Sequence, residues 1–238
     1  MNITAEILLD HLKTASWPEL AAAALAILIA TLLFVRVLFG GKGKRSLPRA
    51  DLALIVGQSG SGKSALFFHW SMPGTKLQTI TSQSTNRGKV LSGCCLEIVD
   101  FPGHPSLWQG ALSLLPRAKK IVYLIDATAD KVKLKAVAEN LYDLLAAKTL
   151  RNDTQLLICR SKTDLKEAKP LESILKTVND EIELLRTSRS RALEANEIDW
   201  LGVDDEKFDL KTQCPIDVSF GSASLKNSDI GDIESFLH

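Results

Sequence analysis

The sequence predicts an α/β fold: a doubly wound, mostly parallel sheet preceded by one N-terminal transmembrane helix. Three observations carry that expectation. From residue 51 onward, short apolar runs that read as buried strands alternate with helical stripes, the pattern of a parallel sheet covered on both faces. The first run, 51–56, leads into the octet Gly57-Gln58-Ser59-Gly60-Ser61-Gly62-Lys63-Ser64, and a helix-compatible stretch to Trp70 follows. Residues 20–39 are apolar except for Thr31 and the single charge Arg36.

Composition bounds the rest. The 238 residues suit one ordinary α/β domain and a short appendage. Charged residues at 24% and hydrophobic ones at 45% exclude general disorder. A net charge of +1 leaves no electrostatic footprint for nucleic acid, so no direct nucleic-acid partner is expected. Cys94, Cys95, Cys159 and Cys214 lack C-x-x-C or Cys/His metal spacing. Cys94 and Cys95 read as strand residues facing opposite ways rather than a redox pair, and reduced thiols fit the cytosol.

In chain order, residues 1–19 form a short tail and 20–39 the span, which at helical rise covers roughly 30 Å, the thickness of a bilayer core. Arg36 lies near its end, where the stem can snorkel to headgroups. Glu6, Asp10 and Glu19 stand where a signal peptide would be basic, and no charged face marks a surface helix. Lys13 stands alone before the span, whereas Arg36, Lys42, Lys44, Arg45 and Arg49 crowd its far side, so the large domain is expected in the cytosol. Trp17 suits the opposite interface, and Asn2-Ile3-Thr4 is a sequon match of little weight. Residues 40–50 are a basic linker, and 51–238 the domain.

Within the octet, glycines let backbone N–H groups wrap an anion, and the following helix N-terminus favours the same charge. Lys63 would reach the β- and γ-phosphates and Ser64 a magnesium ion, with Ala65 completing the nucleotide-binding set. The polar stretch 75–87 lies where switch loops sense a γ-phosphate, and Thr79 and Thr81 are candidates for the magnesium shell. A strand at 94–99 ends in Asp100-Phe101-Pro102-Gly103-His104. Asp100 would hold magnesium directly or through water, Gly103 would offer its N–H to the γ-phosphate, and His104 would orient the attacking water.

A short helix at 105–115 turns Trp108 inward, and 121–126 is a buried strand. The helix at 131–148 carries a stripe of Val132, Val137, Leu141, Leu144 and Leu145. A strand at 155–159 follows, then a helix from Pro170 to about 187, a polar surface insertion at 188–207, a last strand at 216–220 and a closing helix at 230–237. All the motifs fall at the carboxyl ends of strands, where such sheets bind ligands.

Ser161-Lys162-Thr163-Asp164 resembles the N-K-x-D motif of the GTPase superfamily. Asp164 can accept hydrogen bonds from the ring N–H and amino group of guanine, a pair that adenine lacks. Lys162 would lay its stem over the base, and Ser161 stands in place of asparagine. Ser222-Ala223 resembles the S-A-K motif, whose alanine N–H meets the guanine carbonyl, with Ser224 in place of lysine. Order and spacing behind the octet favour GTP/GDP with Mg2+ over an ATPase or a small-molecule kinase.

The span ahead of the domain, the D-x-P-G-H form, the stretch Leu185-Arg186-Thr187-Ser188-Arg189-Ser190 and the closing residues 228–236 resemble the signal recognition particle receptor beta-subunit family, from about residue 20 onward. The resemblance places the switch threonine at Thr81. It implies a single-pass endoplasmic reticulum membrane protein whose GTP-bound face holds the receptor's alpha subunit near ribosome and translocon. Hydrolysis is expected to be slow alone, since no arginine finger in cis can be assigned. The alternatives are an Arf/Sar-type trafficking GTPase and a constitutive GTP-holding scaffold.

Overall fold

The protein was analysed as a computed structural model that describes residues 18, 25, 31, 52–74, 83–89, 91, 93, 95–192, 201–203 and 206–238. It divides into two units, Met1–Pro48 and Arg49–His238. Of the first, three helical residues are described. Most of 20–39, the linker 40–50, Thr79, Thr81 and Cys94 lie outside the described residues. Among those described, no helix is long and apolar enough to cross a membrane.

In the second unit, strand β1 (Leu52–Gly57) is buried along its whole length. Six uncharged residues in a row demand cover on both faces, which a central parallel strand receives. β1 pairs in parallel with β3 (Glu97–Asp100) on one side and β4 (Ala118–Asp126) on the other. β4 pairs in parallel with β5 (Gln155–Ser161), and β5 with β6 (Asp217–Ser222). A three-residue edge strand, β2 (Asn86–Gly88), runs antiparallel to β3 and completes the order β2-β3-β1-β4-β5-β6. The sheet is thus mostly parallel.

Alternation along β1 and β4 sends side chains to two cores. Leu54, Val56, Ile121 and Tyr123 join Val137 and Leu141 of helix α3 (Lys131–Leu145) and Ile174 and Val178 of α4 (Leu171–Ala192). Ala53, Ile55, Val122 and Leu124 join Leu66 and Trp70 of α1 (Lys63–Ser71) and Ile233 and Leu237 of α5 (Gly231–Leu237). Each such aliphatic side chain contributes about 1.5–3 kcal/mol by leaving water. Trp70 Nε1 donates to Glu234 Oε1 at 3.0 Å, tying α1 to α5. The Asp130 carboxylate caps α3 by accepting from the Lys133 N–H at 2.8 Å.

Several boundaries differ from the sequence reading. β4 begins early, at Ala118, where its pairing with Leu52 of β1 starts, and β5 runs on past 159 because its ladder with β4 continues to the Asp126–Ser161 pair. The strand expected at 94–99 starts only at Glu97, and Cys95 is exposed ahead of it. Burial instead pushes the thiols of Cys159 and Cys214 up to about 12. Val132, 79% exposed, leaves the predicted stripe, and Leu134 is the buried residue of that turn. Residues 105–115 form a single 3-10 turn, Pro105–Leu107, and a short helix α2 (Trp108–Leu112). Helix α4 runs on to Ala192, into the expected insertion. Arg186, 1% exposed, folds the far end back: its guanidinium donates to the carbonyls of Val203 at 2.6 Å and Glu206 at 2.9 Å.

Candidate functional site

The octet turns where β1 ends. Gly57 has a φ of 140°, and a Cβ there would lie 2.2 Å from the Leu124 carbonyl oxygen, so only glycine lets β1 pass this close to β4. The Ser61 N–H donates to the Gln58 carbonyl at 3.2 Å, and the Leu66 N–H to that of Gly62 at 2.9 Å. α1 therefore begins immediately behind Gly62, with no side chain capping its first turn. Its N-terminal donors are left for an anion.

They open on a cavity of about 460 Å³, within the roughly 300–1,000 Å³ usual for small-molecule sites. Ser59, Gly60, Ser61, Gly62, Lys63, Ser64, Ala65, Gly103, Ser161, Lys162, Asp164 and Ala223 line it, as do Leu225 and Lys226. The structure thus gathers most of the predicted residues around one space. Gly57, Gln58, Asp100, His104 and Ser222 do not line it, although Asp100 bonds Ser64, which does.

At the loop end, the Lys63 ammonium is 5% exposed and donates to the Gln58 carbonyl at 2.6 Å. Burial pulls its pKa down to about 8, against the opposing pull of Asp100. An incoming phosphate would relieve that cost. Gly103 passes so close that a Cβ would sit 2.5 Å from Lys63 Nζ and 2.6 Å from the Gly57 carbonyl oxygen. Asp100 is 1% exposed. Its Oδ2 accepts from Ser64 Oγ at 2.7 Å and from Asn86 Nδ2 at 2.8 Å. Its Oδ1 is buried without a hydrogen-bond partner.

A buried carboxylate oxygen left unpaired is costly, and one carboxylate beside one hydroxyl is an oxygen-only donor pair. That chemistry fits magnesium, which takes few protein ligands and completes its shell with water and phosphate oxygens. Sequence reasoning missed Asn86. Nothing local marks it, because it meets Asp100 only through the cross-strand pairing of β2 with β3.

At the other end, Ser161 Oγ lies 2.7 Å from the Ser61 carbonyl oxygen and 3.2 Å from that of Ile125, so the residue expected to face a base instead tethers the loop to β5. Lys162, with a φ of 62°, donates from Nζ to Asp126 Oδ2 at 2.7 Å. Burial by itself would raise the Asp126 pKa, but hydrogen bonds from Lys162 and Thr128 outweigh it and hold the carboxyl below its ordinary value. Asp164 accepts at Oδ1 from Ser224 Oγ at 2.8 Å.

The Ser222-Ala223 segment is held through its own backbone. The Ser222 N–H donates to Asp232 Oδ2 at 2.9 Å, and the Ala223 N–H to the Arg160 carbonyl at 2.8 Å. Ala223 also lines the cavity. Ser224 braces Asp164, and Leu225 and Lys226 reach the cavity wall.

Two other candidates face elsewhere. His104 is exposed, with Nδ1 2.7 Å from Ser106 Oγ while accepting the Ser106 N–H at 3.3 Å. The Gln58 side chain reaches away from the cavity and donates to the Lys133 carbonyl in α3.

Donors for phosphate at one end of the cavity and a braced carboxylate for a base at the other define a P-loop nucleotide-binding domain of the GTPase type. The signal recognition particle receptor beta subunit family matches residues 49–225, and the chain belongs to that family. Signal recognition particle receptor subunit beta of Mus musculus and that of Homo sapiens are each 32% identical to it over 92% of this chain, covering 85% and 84% of those proteins. The solved structure of the mammalian SRP receptor matches at a TM-score of 0.67 and 32% identity, over 78% of this chain and 97% of that one. The Chaetomium thermophilum receptor SRb-GDP-Mg matches at a TM-score of 0.62 and 21% identity over 79% and 96% of the two chains, a likeness of fold. The SRb-GTP/SRX complex from that organism does so at 0.54 and 19% over 72% and 92%.

Proposed function

We propose that this chain is the GTP-binding beta subunit of a signal recognition particle receptor, holding the alpha subunit at the endoplasmic reticulum membrane when GTP is bound. The observation that carries the reading is the single cavity with Lys63 and the open N-terminus of α1 at one end and the Ser224-braced Asp164 at the other. Family membership and the SRb-GTP/SRX likeness support the docking role.

The division of labour follows from position. The octet and Ala65 wrap the phosphates with backbone N–H groups, and Lys63 adds charge at the outer phosphates. Ser64 and Asp100, with Thr81, would hold a magnesium ion, which would supply positive charge beside the phosphates. Asp164 selects guanine, Lys162 covers the base, and Ser161 keeps loop and base segment in register. Gly103, packed on Lys63, senses the γ-phosphate and carries that state toward α2, where a partner docks. His104 orients the hydrolytic water once a partner turns it inward, so hydrolysis alone is slow. Residues 20–39 anchor the chain with its domain cytosolic, near ribosome and translocon.

The test is capture of the receptor's alpha subunit by the domain loaded with GTP or GDP. Capture by the GTP form alone supports gated docking. Equal capture in both states overturns the switch. His104→Ala should leave GTP binding unchanged while slowing partner-stimulated hydrolysis, whereas a constitutive scaffold would not respond.

A further inference from the structure

From the contacts around Asp100 we infer that Asn86 is a positioning residue for the magnesium site, which ties metal retention to the edge strand β2. The inference rests on the nucleotide-site reading above. Asn86 and Asp100 face each other as a cross-strand pair. An ionised carboxylate only accepts, so the contact must be Asn86 Nδ2–H donating to Oδ2, at 2.8 Å. Ser64 Oγ reaches the same oxygen at 2.7 Å. Two donors on Oδ2 fix the rotation of the carboxylate about its Cβ–Cγ bond, and so fix where Oδ1 points.

Oδ1 is the oxygen without a partner. Ser64 alone would leave that angle loose, because its own hydroxyl swings on one bond and is itself a prospective ligand. Asn86 is neutral, so it orients the carboxylate without competing for the cation as a lysine would by charge. Outer partners of this kind typically govern ten- to hundredfold of metal affinity.

The location adds a consequence. β2 is three residues long and, among the described residues, pairs only with β3. A short edge strand is the weakest rung of a sheet. Whatever lifts β2 from β3 withdraws Asn86 from Asp100 and loosens the metal without touching the phosphate loop.

The experiment titrates Mg2+ into GDP-loaded protein, following fluorescent-nucleotide release, beside nucleotide affinity and thermal stability measured in EDTA. Asn86→Ala should raise the Mg2+ midpoint ten- to hundredfold while leaving EDTA affinity within about twofold. Asn86→Leu, which keeps the branching at Cγ, should do the same and serves should the alanine variant fold poorly. Asn86→Gln, which retains an amide donor, should recover most of the shift. An unchanged Mg2+ midpoint, or an equal loss of affinity with and without Mg2+, overturns the inference. Failure of the unsubstituted protein to bind guanine nucleotide at all would overturn the nucleotide-site reading itself, and this inference with it.

Discussion

The two ends of the cavity are built differently. At the phosphate end, one continuous octet supplies almost everything, and backbone geometry does most of the work: Gly57 lets β1 pass the Leu124 carbonyl, and α1 starts uncapped behind Gly62. At the base end, two distant segments meet through the pairing of β5 with β6 and the bond from Ser224 to Asp164, while Ser161 ties them to the octet at Ser61. A backbone-built site tolerates change only where no Cβ intrudes. A site braced by side chains can exchange partners.

That contrast can be broken by substitution. Lys63→Ala should have the largest effect, weakening GTP and GDP binding at least about a hundredfold in calorimetry, since charge-assisted bonds of roughly 1.5–3 kcal/mol each are lost. Its fold should persist, because a buried ammonium contributes cost as well as contact. Asp164→Ala should weaken guanine nucleotides about fiftyfold while leaving weak ATP binding unchanged in competition assays, because only guanine presents the paired donors. Equal loss for both nucleotides would remove Asp164 from base reading.

Smaller effects sharpen the register. Ser224→Ala should cost roughly five- to tenfold in GTP affinity by unbracing Asp164, about one ordinary hydrogen bond. Ser222→Ala should stay within about twofold, because Ser222 does not line the cavity and its N–H is held by Asp232. Asp126→Asn should lower the melting temperature by a few degrees at pH 7. The folded pKa of Asp126 is depressed, so its stabilisation is present above the ordinary carboxylate value near 4 and is lost as pH falls through the folded pKa. The difference between variant and parent should therefore close on acidification.

The same contrast governs what the sequence made legible. The central strands were readable because a sheet covered on both faces leaves uninterrupted apolar runs, and the octet because its chemistry is contiguous. β2 was not: Asn86-Arg87-Gly88 has no pattern of its own and becomes a strand only by pairing with β3. Asn86 was hidden for the same reason. Arg186 fell within the predicted helix, but the burial of its guanidinium against the Val203 and Glu206 carbonyls is a long-range fit that no local window contains. His104 follows Gly103 as expected but caps its own turn at Ser106, where a local bond outcompetes the cavity.

The position of β1 inside the sheet has a consequence for synthesis. Both of its neighbours, β3 and β4, emerge later, and α5, which covers Leu66 and Trp70 of α1, emerges last. A chain growing from its N-terminus therefore displays the octet early but cannot fix its shape until distant partners arrive, the slow non-local route. Ligand capture would then mark completed manufacture: nascent or C-terminally trimmed chains lacking α5 should fail to retain nucleotide even with every octet residue in place.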